Sequence, residues 1–284
     1  MEPIDVGPLV RGDDATDVVR AIDRACREIG FFTITGHGVD PDLIAAVERL
    51  ARQFFALDDT SKSAIAMEHG GKAWRGWFPL GGELTDGIPD GKEGLYFGAE
   101  LPATDPRPLH GPNLFPAAPA ELRVAVLAYL SAMQRLGAAL VRAIGWELDA
   151  LTRDPVTLFR IFRYPPATGD GWGVAEHTDY GLLTILHQDD AGGLQVRGTG
   201  GWVEVAPEPG TFVCNIGDML EQMTQGAYRS TAHRVRNPSS SDRVSLAYFF
   251  DPDWDAEIPH VGRYGDYLLG KVAKVFPALG HHIA

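Results

Sequence analysis

His177 and Asp179 stand two residues apart in the run Gly-Val-Ala-Glu-His-Thr-Asp-Tyr-Gly-Leu-Leu-Thr-Ile-Leu (173–186), and His233 follows in Ser-Thr-Ala-His-Arg-Val (230–235). On a β-strand, side chains i and i+2 share a face. An imidazole and a carboxylate at that spacing can therefore address a common point. A second imidazole from a distant strand would complete a two-histidine, one-carboxylate face. Such a face leaves about three of six octahedral positions open, the arrangement by which non-haem Fe(II) admits a cosubstrate and dioxygen together. A His-x-Asp pair alone recurs by chance. Here Leu182, Leu183, Ile185 and Leu186 follow it, which places the pair at the opening of a buried strand. Buried imidazole and carboxylate need partners, and a metal satisfies both.

Downstream, Arg243 and Ser245 alternate with Val244 and Leu246. If their face points inward, the guanidinium is buried, and an unpaired buried charge costs about 3–5 kcal/mol. It therefore demands an anion, and its fork suits a carboxylate best. A protein Asp or Glu remains the alternative partner. Ser245 can bond a second oxygen of the same carboxylate. Tyr164, before Pro165-Pro166, is either a third donor or a core tyrosine. The competing histidines are His37, His69, His110, His187, His260, His281 and His282. The last two read as a surface pair in a terminal tail.

The elements that must position these groups are legible as patterns. The 284-residue chain, 45% hydrophobic and 22% charged, can build a large core. A formal charge of −13 argues against nucleic acid and anionic membrane surfaces as partners. Cys26 and Cys214 form no metal-knuckle or dithiol motif. No segment reads as a signal peptide or membrane span, so a cytoplasmic location is expected. Helices are expected over 14–30, 41–57, 119–146 and 264–276, the third carrying the stripe Leu122, Val126, Tyr129, Met133, Leu136, Leu140 and Ile144. Residues 69–118, rich in Gly and Pro, read as irregular with short strands. From about residue 157 the texture becomes strands: 157–164, 173–180, 182–188, 194–197, 202–205, 211–216, 228–236 and 244–250, separated by turn residues. The expected fold is mostly β with flanking helices, a jelly roll. An N-terminal helical and irregular region (1–118) would pack on a long helix, jelly-roll core and C-terminal helix (119–284).

Six ordered motifs then carry a resemblance: Arg-Tyr-Pro-Pro (163–166), His-Thr-Asp-Tyr-Gly (177–181), Gly-Gly-Leu-Gln-Val (192–196), Asn-Ile-Gly-Asp (215–218), Tyr-Arg-Ser-Thr-Ala-His-Arg-Val (228–235) and Arg-Val-Ser (243–245). The set resembles the Fe(II)/2-oxoglutarate-dependent oxygenases of the isopenicillin N synthase-like branch, over nearly the whole chain. Residues 31–39 and 90–98 look like that family's N-terminal region. The resemblance implies a double-stranded β-helix in which His177, Asp179 and His233 hold Fe(II). It implies that Arg243 and Ser245, assisted by Tyr164, hold the distal carboxylate of 2-oxoglutarate. The implied reaction consumes dioxygen and decarboxylates 2-oxoglutarate to succinate and CO2. It hydroxylates, desaturates or cyclises a small-molecule substrate, with no catalytic residue beyond the metal ligands. Arg163, Tyr180 and Phe249 are adjacent to the site by motif position and are candidate pocket residues.

Three rivals stand beside this reading. Some relatives with the same Arg-x-Ser motif are Fe(II) oxidases that do not use 2-oxoglutarate. A non-catalytic jelly roll could hold an organic acid on Arg243. A zinc hydrolase would need a general-base Glu, and Glu176, adjoining His177, is expected on the opposite strand face.

Overall fold

The computed structural model describes residues 1–166 and 171–279. His281 and His282 lie outside the described residues. The helices are α1 (Gly7–Arg11), α2 (Thr16–Glu28), α3 (Pro41–Phe55), α4 (Asp59–Ser63), α5 (Leu122–Ile144), α6 (Asp218–Met223) and α7 (Tyr264–Val275). The strands are β1 (Ile4–Asp5), β2 (Phe31–Thr35), β3 (Gly76–Phe78), β4 (Leu84–Thr85), β5 (Ile88–Pro89), β6 (Glu93–Gly98), β7 (Pro155–Tyr164), β8 (Val174–His177), β9 (Leu183–Gln188), β10 (Leu194–Gly198), β11 (Gly201–Glu204), β12 (Phe212–Ile216), β13 (His233–Val235) and β14 (Arg243–Asp253), with a small two-stranded pair after them.

An eight-stranded sheet in the order β1-β2-β12-β9-β14-β7-β6-β3 faces a four-stranded sheet in the order β11-β10-β13-β8. These are the two leaves of the jelly roll. The longest pairing is antiparallel, β14 on β7, with Arg243 opposite Tyr164, Ser245 opposite Phe162 and Ala247 opposite Arg160. On the smaller leaf, β13 pairs β8 with His233 opposite His177.

Local chemistry explains the helices. Asp40 caps α3 by accepting from Asp42 N at 2.9 Å, with Pro41 at the first helical position. Every residue of the α5 stripe is buried. Its Gly137 is needed for close approach, because a Cβ there would sit 2.4 Å from the Phe250 ring on β14. The 23-residue α5, with mean hydropathy 1.6, is long and apolar enough to cross a bilayer, contrary to the expectation that no segment is. Its apolar face is instead packed on the large sheet.

The structure sharpens sequence expectation in one place and departs from it in three more. Within residues 69–118, expected to be irregular with short strands, residues 76–78 and 93–98 form β3 and β6 and extend the main sheet beyond β7. With β1 and β2, they make the N-terminal region part of the sheet as well as a helical layer on it. β6 lacks polar–apolar alternation because both faces are covered: all six of its residues are buried. The expected strand 173–180 stops at His177, and the expected strand 228–236 is reduced to His233–Val235. Strand β14 instead runs on to Asp253.

Candidate active site

A cavity of about 720 Å³ lies between the two leaves. Strand alternation decides what enters it. Tyr164, Phe162 and Arg160 of β7 line it, as do Arg243, Ser245, Ala247 and Phe249 of β14. His177 and His233 reach it from the smaller leaf.

His177, Asp179 and His233 come together, their ligand atoms all within 4.8 Å of one another. The cross-strand pairing sets the two imidazoles 4.2 Å apart, centroid to centroid. Each turns its Nδ1 toward a backbone carbonyl, Ala175 O at 2.8 Å and Thr231 O at 3.4 Å. That leaves both Nε2 atoms facing Asp179 Oδ1, at 4.0 Å and 3.9 Å. Asp179 Oδ2 accepts from Thr184 Oγ1 at 2.6 Å and Asn215 Nδ2 at 2.7 Å. Its orientation is therefore fixed and Oδ1 stays free.

Asp179 does not share a strand with His177, as the spacing suggests. It lies in the link between β8 and β9, which belong to different leaves. Main-chain bonds hold this link: Asp218 N donates to Asp179 O at 2.7 Å, and Leu182 N donates to Asp251 Oδ1 at 2.8 Å. A side chain at Gly181 would strike Asp251, since a Cβ would lie 1.9 Å from its Oδ1.

Burial and the adjacent His177 push His233 down to about 4. Burial opposes ionisation of Asp179. The two imidazoles, with the bonds from Asn215 and Thr184, outweigh it and hold the carboxyl below its usual range. A neutral imidazole and an ionised carboxylate are the forms in which such side chains bind a divalent metal. The unfolded chain takes up the His233 proton near the ordinary value of 6.5, before the folded chain does. The metal-free protein should therefore lose stability as pH falls from about 6.5 toward 4. Chemical denaturation at stepped pH checks this: a His233→Ala variant should show a shallower loss over that window.

Arg243 is wholly buried. Its Nε donates to Gly192 O at 2.7 Å, and its Nη2 reaches Gln188 Oε1 at 3.5 Å. Nη1 has no partner among the described residues. Among the described residues the guanidinium's acceptors are neutral, and no structural ion pair to a protein carboxylate is formed. Tyr164 lies under it, the guanidinium Cζ 4.8 Å from the ring centroid, and Ser245 lines the cavity with it. A buried cation with an idle donor, two hydroxyls and three side chains able to hold a metal line one cavity. A small acid that both chelates a metal and ends in a second carboxylate fits that set.

Comparison with known proteins agrees. Residues 155–252 match the 2OG-Fe(II) oxygenase superfamily, and residues 2–118 match the family described as non-haem dioxygenase in morphine synthesis N-terminal. A probable iron/ascorbate oxidoreductase from Dictyostelium discoideum is 43% identical, over 94% of this chain and 91% of that protein. The chain belongs to the 2OG-Fe(II) oxygenase superfamily. Also similar is a 1-aminocyclopropane-1-carboxylate oxidase from Dictyostelium mucoroides, 32% identical over 93% of this chain and 92% of its own. Among solved structures, a full-length Neurospora crassa protein in complex with alpha-KG superimposes with a TM-score of 0.83 at 26% identity, covering 96% of each chain. The same Neurospora protein has been solved with alpha-KG and thymine (TM-score 0.80, 25% identity, 95% of this chain and 96% of that one). The chain is an Fe(II)- and 2-oxoglutarate-dependent dioxygenase with a jelly-roll core, and its reaction consumes dioxygen.

Of the three pocket candidates, Tyr180 and Phe249 line the dioxygenase cavity. Arg163 does not. It alternates outward between Phe162 and Tyr164 and pairs with Asp242 at 2.7 Å and with Glu93 at 2.5 Å. The sequence reading omits Arg160 on the inward parity, and Thr184 and Asn215 behind Asp179. The period-2 rule applied to β7 would have found Arg160. Asn215 is visible in the sequence only as part of the Asn-Ile-Gly-Asp motif. Glu176 points away and pairs with Arg197 at 3.1 Å, so it can serve no hydrolytic water. His187 is turned outward toward Glu48, at 3.4 Å.

Removing one of the two bonds that orient Asp179 should weaken metal binding while sparing the fold. Asn215→Ala is expected to reduce Fe(II) affinity by roughly 10- to 100-fold, read by metal titration of the purified protein.

Proposed function

We propose that this dioxygenase oxidises a small organic substrate, by hydroxylation, desaturation or ring closure, with release of succinate and CO2. His177, Asp179 and His233 would hold Fe(II), whose chemistry when bound is to bring 2-oxoglutarate and dioxygen together for oxidative decarboxylation. Arg243 would receive the distal carboxylate of 2-oxoglutarate, with Ser245 and Tyr164 adding hydroxyl contacts. The observation that carries this reading is the buried, unpaired Nη1 of Arg243 in the same cavity as the triad. Nothing else among the described residues neutralises that cation, so the fold is complementary to a ligand carboxylate. Thr184 and Asn215 keep Asp179 turned toward the imidazoles. The surrounding Phe31, Phe162, Leu186 and Leu194 exclude water from the reacting atoms.

In a hydroxylation, one oxygen atom of dioxygen would enter succinate and the other the product. The test is succinate release from 2-oxoglutarate with Fe(II), across a panel of acids, amino acids and heterocycles. The true substrate should raise succinate release well above the slow uncoupled rate. Dioxygen uptake that proceeds equally without 2-oxoglutarate would instead assign the chain to the oxidases, the activity of the 1-aminocyclopropane-1-carboxylate relative.

A further inference from the structure

A second buried guanidinium faces the same cavity. Arg160 stands opposite Ala247, and Arg243 stands opposite Tyr164. The two arginines are thus separated by four residues of paired strand, about 13 Å at the usual rise. The Arg160 side chain is 9% exposed. Its guanidinium is clamped between the ring of Tyr96, 4.4 Å from the centroid, and that of Phe249, at 4.8 Å. Stacking fixes the plane of the fork but satisfies none of its in-plane donors.

Those donors are poorly matched. Nη2 donates to Tyr180 Oη at 2.9 Å. Among the described residues, Nη1 forms one long ion pair, with Glu83 Oε1 at 3.5 Å. Nε has no partner among the described residues. Glu83 is committed elsewhere: Tyr96 Oη donates to it at 2.6 Å, and Lys92 Nζ lies 2.9 Å from its other oxygen. Tyr180 accepts from Arg160, which leaves its own hydroxyl proton to offer. At the rim, Lys274 of α7 lines the cavity beside Lys271, which is paired with Asp218 at 3.2 Å.

We propose that Arg160 and the Tyr180 hydroxyl bind a carboxylate of the prime substrate, so that this dioxygenase acts on a small carboxylic acid. The inference rests on the reading of Arg243 as the cosubstrate's anchor, which leaves Arg160 for a second acid. Tyr180 adjoins Asp179 in sequence, so the anchor is tied to the metal-ligand link itself. Arg160 thereby sets specificity: a neutral amide of the same shape leaves the guanidinium with only the distant Glu83, which it shares with Lys92, as its anion.

The test uses the full chain with Fe(II) and 2-oxoglutarate under anaerobic conditions. The probes are aliphatic, aromatic and α-amino carboxylic acids, including 1-aminocyclopropane-1-carboxylate and phenylacetate, each paired with its primary amide, and thymine as a neutral ring. Binding is read by calorimetry. At least one acid should bind about 30-fold or more tighter than its amide. Arg160→Gln should erase that acid-over-amide preference, and Tyr180→Phe should narrow it by about tenfold, a lost hydrogen bond to a charged group. A wild-type protein that takes no acid above its amide, or thymine above every acid, overturns the proposal. So does an Arg160→Gln protein that loses acid and amide equally, which marks a structural arginine. Should Arg160→Gln fail to fold, Tyr180→Phe decides alone: an unchanged preference contradicts the proposal. Binding of 2-oxoglutarate without any probe is titrated in parallel. Its failure would sink the cosubstrate reading while leaving the acid–amide comparison interpretable.

Discussion

Replacing Arg243 with leucine is expected to weaken 2-oxoglutarate binding by roughly 30- to several-thousand-fold, the 2–5 kcal/mol typical when one member of a buried charge pair is removed. The size follows from the surroundings. The guanidinium is fully buried, its Nη1 is idle, and the acceptors it does meet are neutral. Among the described residues the other cations are poorly placed to take over: Arg160 lies four strand residues away, Arg163 faces outward to Asp242, and Lys92, which also lines the cavity, is tied to Glu83 and Asp90. Arg243→Lys should recover only part of the loss, since an ammonium cannot offer the planar fork that Nε and the two Nη atoms present. The apparent Michaelis constant for 2-oxoglutarate measures the effect, and prime-substrate binding should change much less. An Arg243→Leu enzyme with an unchanged constant would move the chain to the oxidases.

His177→Ala or Asp179→Ala is expected to abolish stoichiometric Fe(II) binding and turnover together. On the proposed assignment each would supply one of three ligands, and two of the three would not hold Fe(II) in a cavity open to the cosubstrate. Metal analysis after dialysis, beside succinate release, checks both arms. The two variants should differ in stability. Losing Asp179 leaves Thr184 Oγ1 and Asn215 Nδ2 without their shared acceptor, whereas losing His177 leaves only the Ala175 carbonyl contact. The metal-free Asp179→Ala protein should therefore be the less stable, by about 1–3 kcal/mol per buried donor left unsatisfied. A His177→Ala protein with near wild-type turnover and one iron per chain would overturn the triad assignment.

Much of this site is legible because strand parity is a strict rule. Arg243 and Ser245 alternate with apolar residues, and the structure turns both inward. The same rule fails at Asp179, where the chain leaves β8 and crosses to the other leaf. There the carboxylate is aimed by hydrogen bonds from Thr184 and Asn215, partners that no periodicity encodes. Arg163 is misplaced by motif adjacency read without parity, since one residue along a strand exchanges cavity for surface. Strand β6 is hard to delimit for a different reason. Its Gly94 approaches the Phe78 ring and its Gly98 the Arg75 guanidinium, and its Glu93 is buried against Lys62 and Arg163, so it shows neither the alternation nor the composition of an ordinary strand. The α5 stripe, by contrast, is fully legible, since a 3.6-residue period over a long helix survives tertiary context.

The most direct test of the central claim is an anaerobic titration of the Fe(II)-loaded protein with 2-oxoglutarate, followed in the visible region. A weak charge-transfer band should grow and saturate with one cosubstrate per chain, be missing at the same concentrations in Arg243→Leu, and shift when the prime substrate is added. A protein that binds one Fe(II) yet develops no band, and consumes dioxygen at the same rate with or without 2-oxoglutarate, would contradict the account.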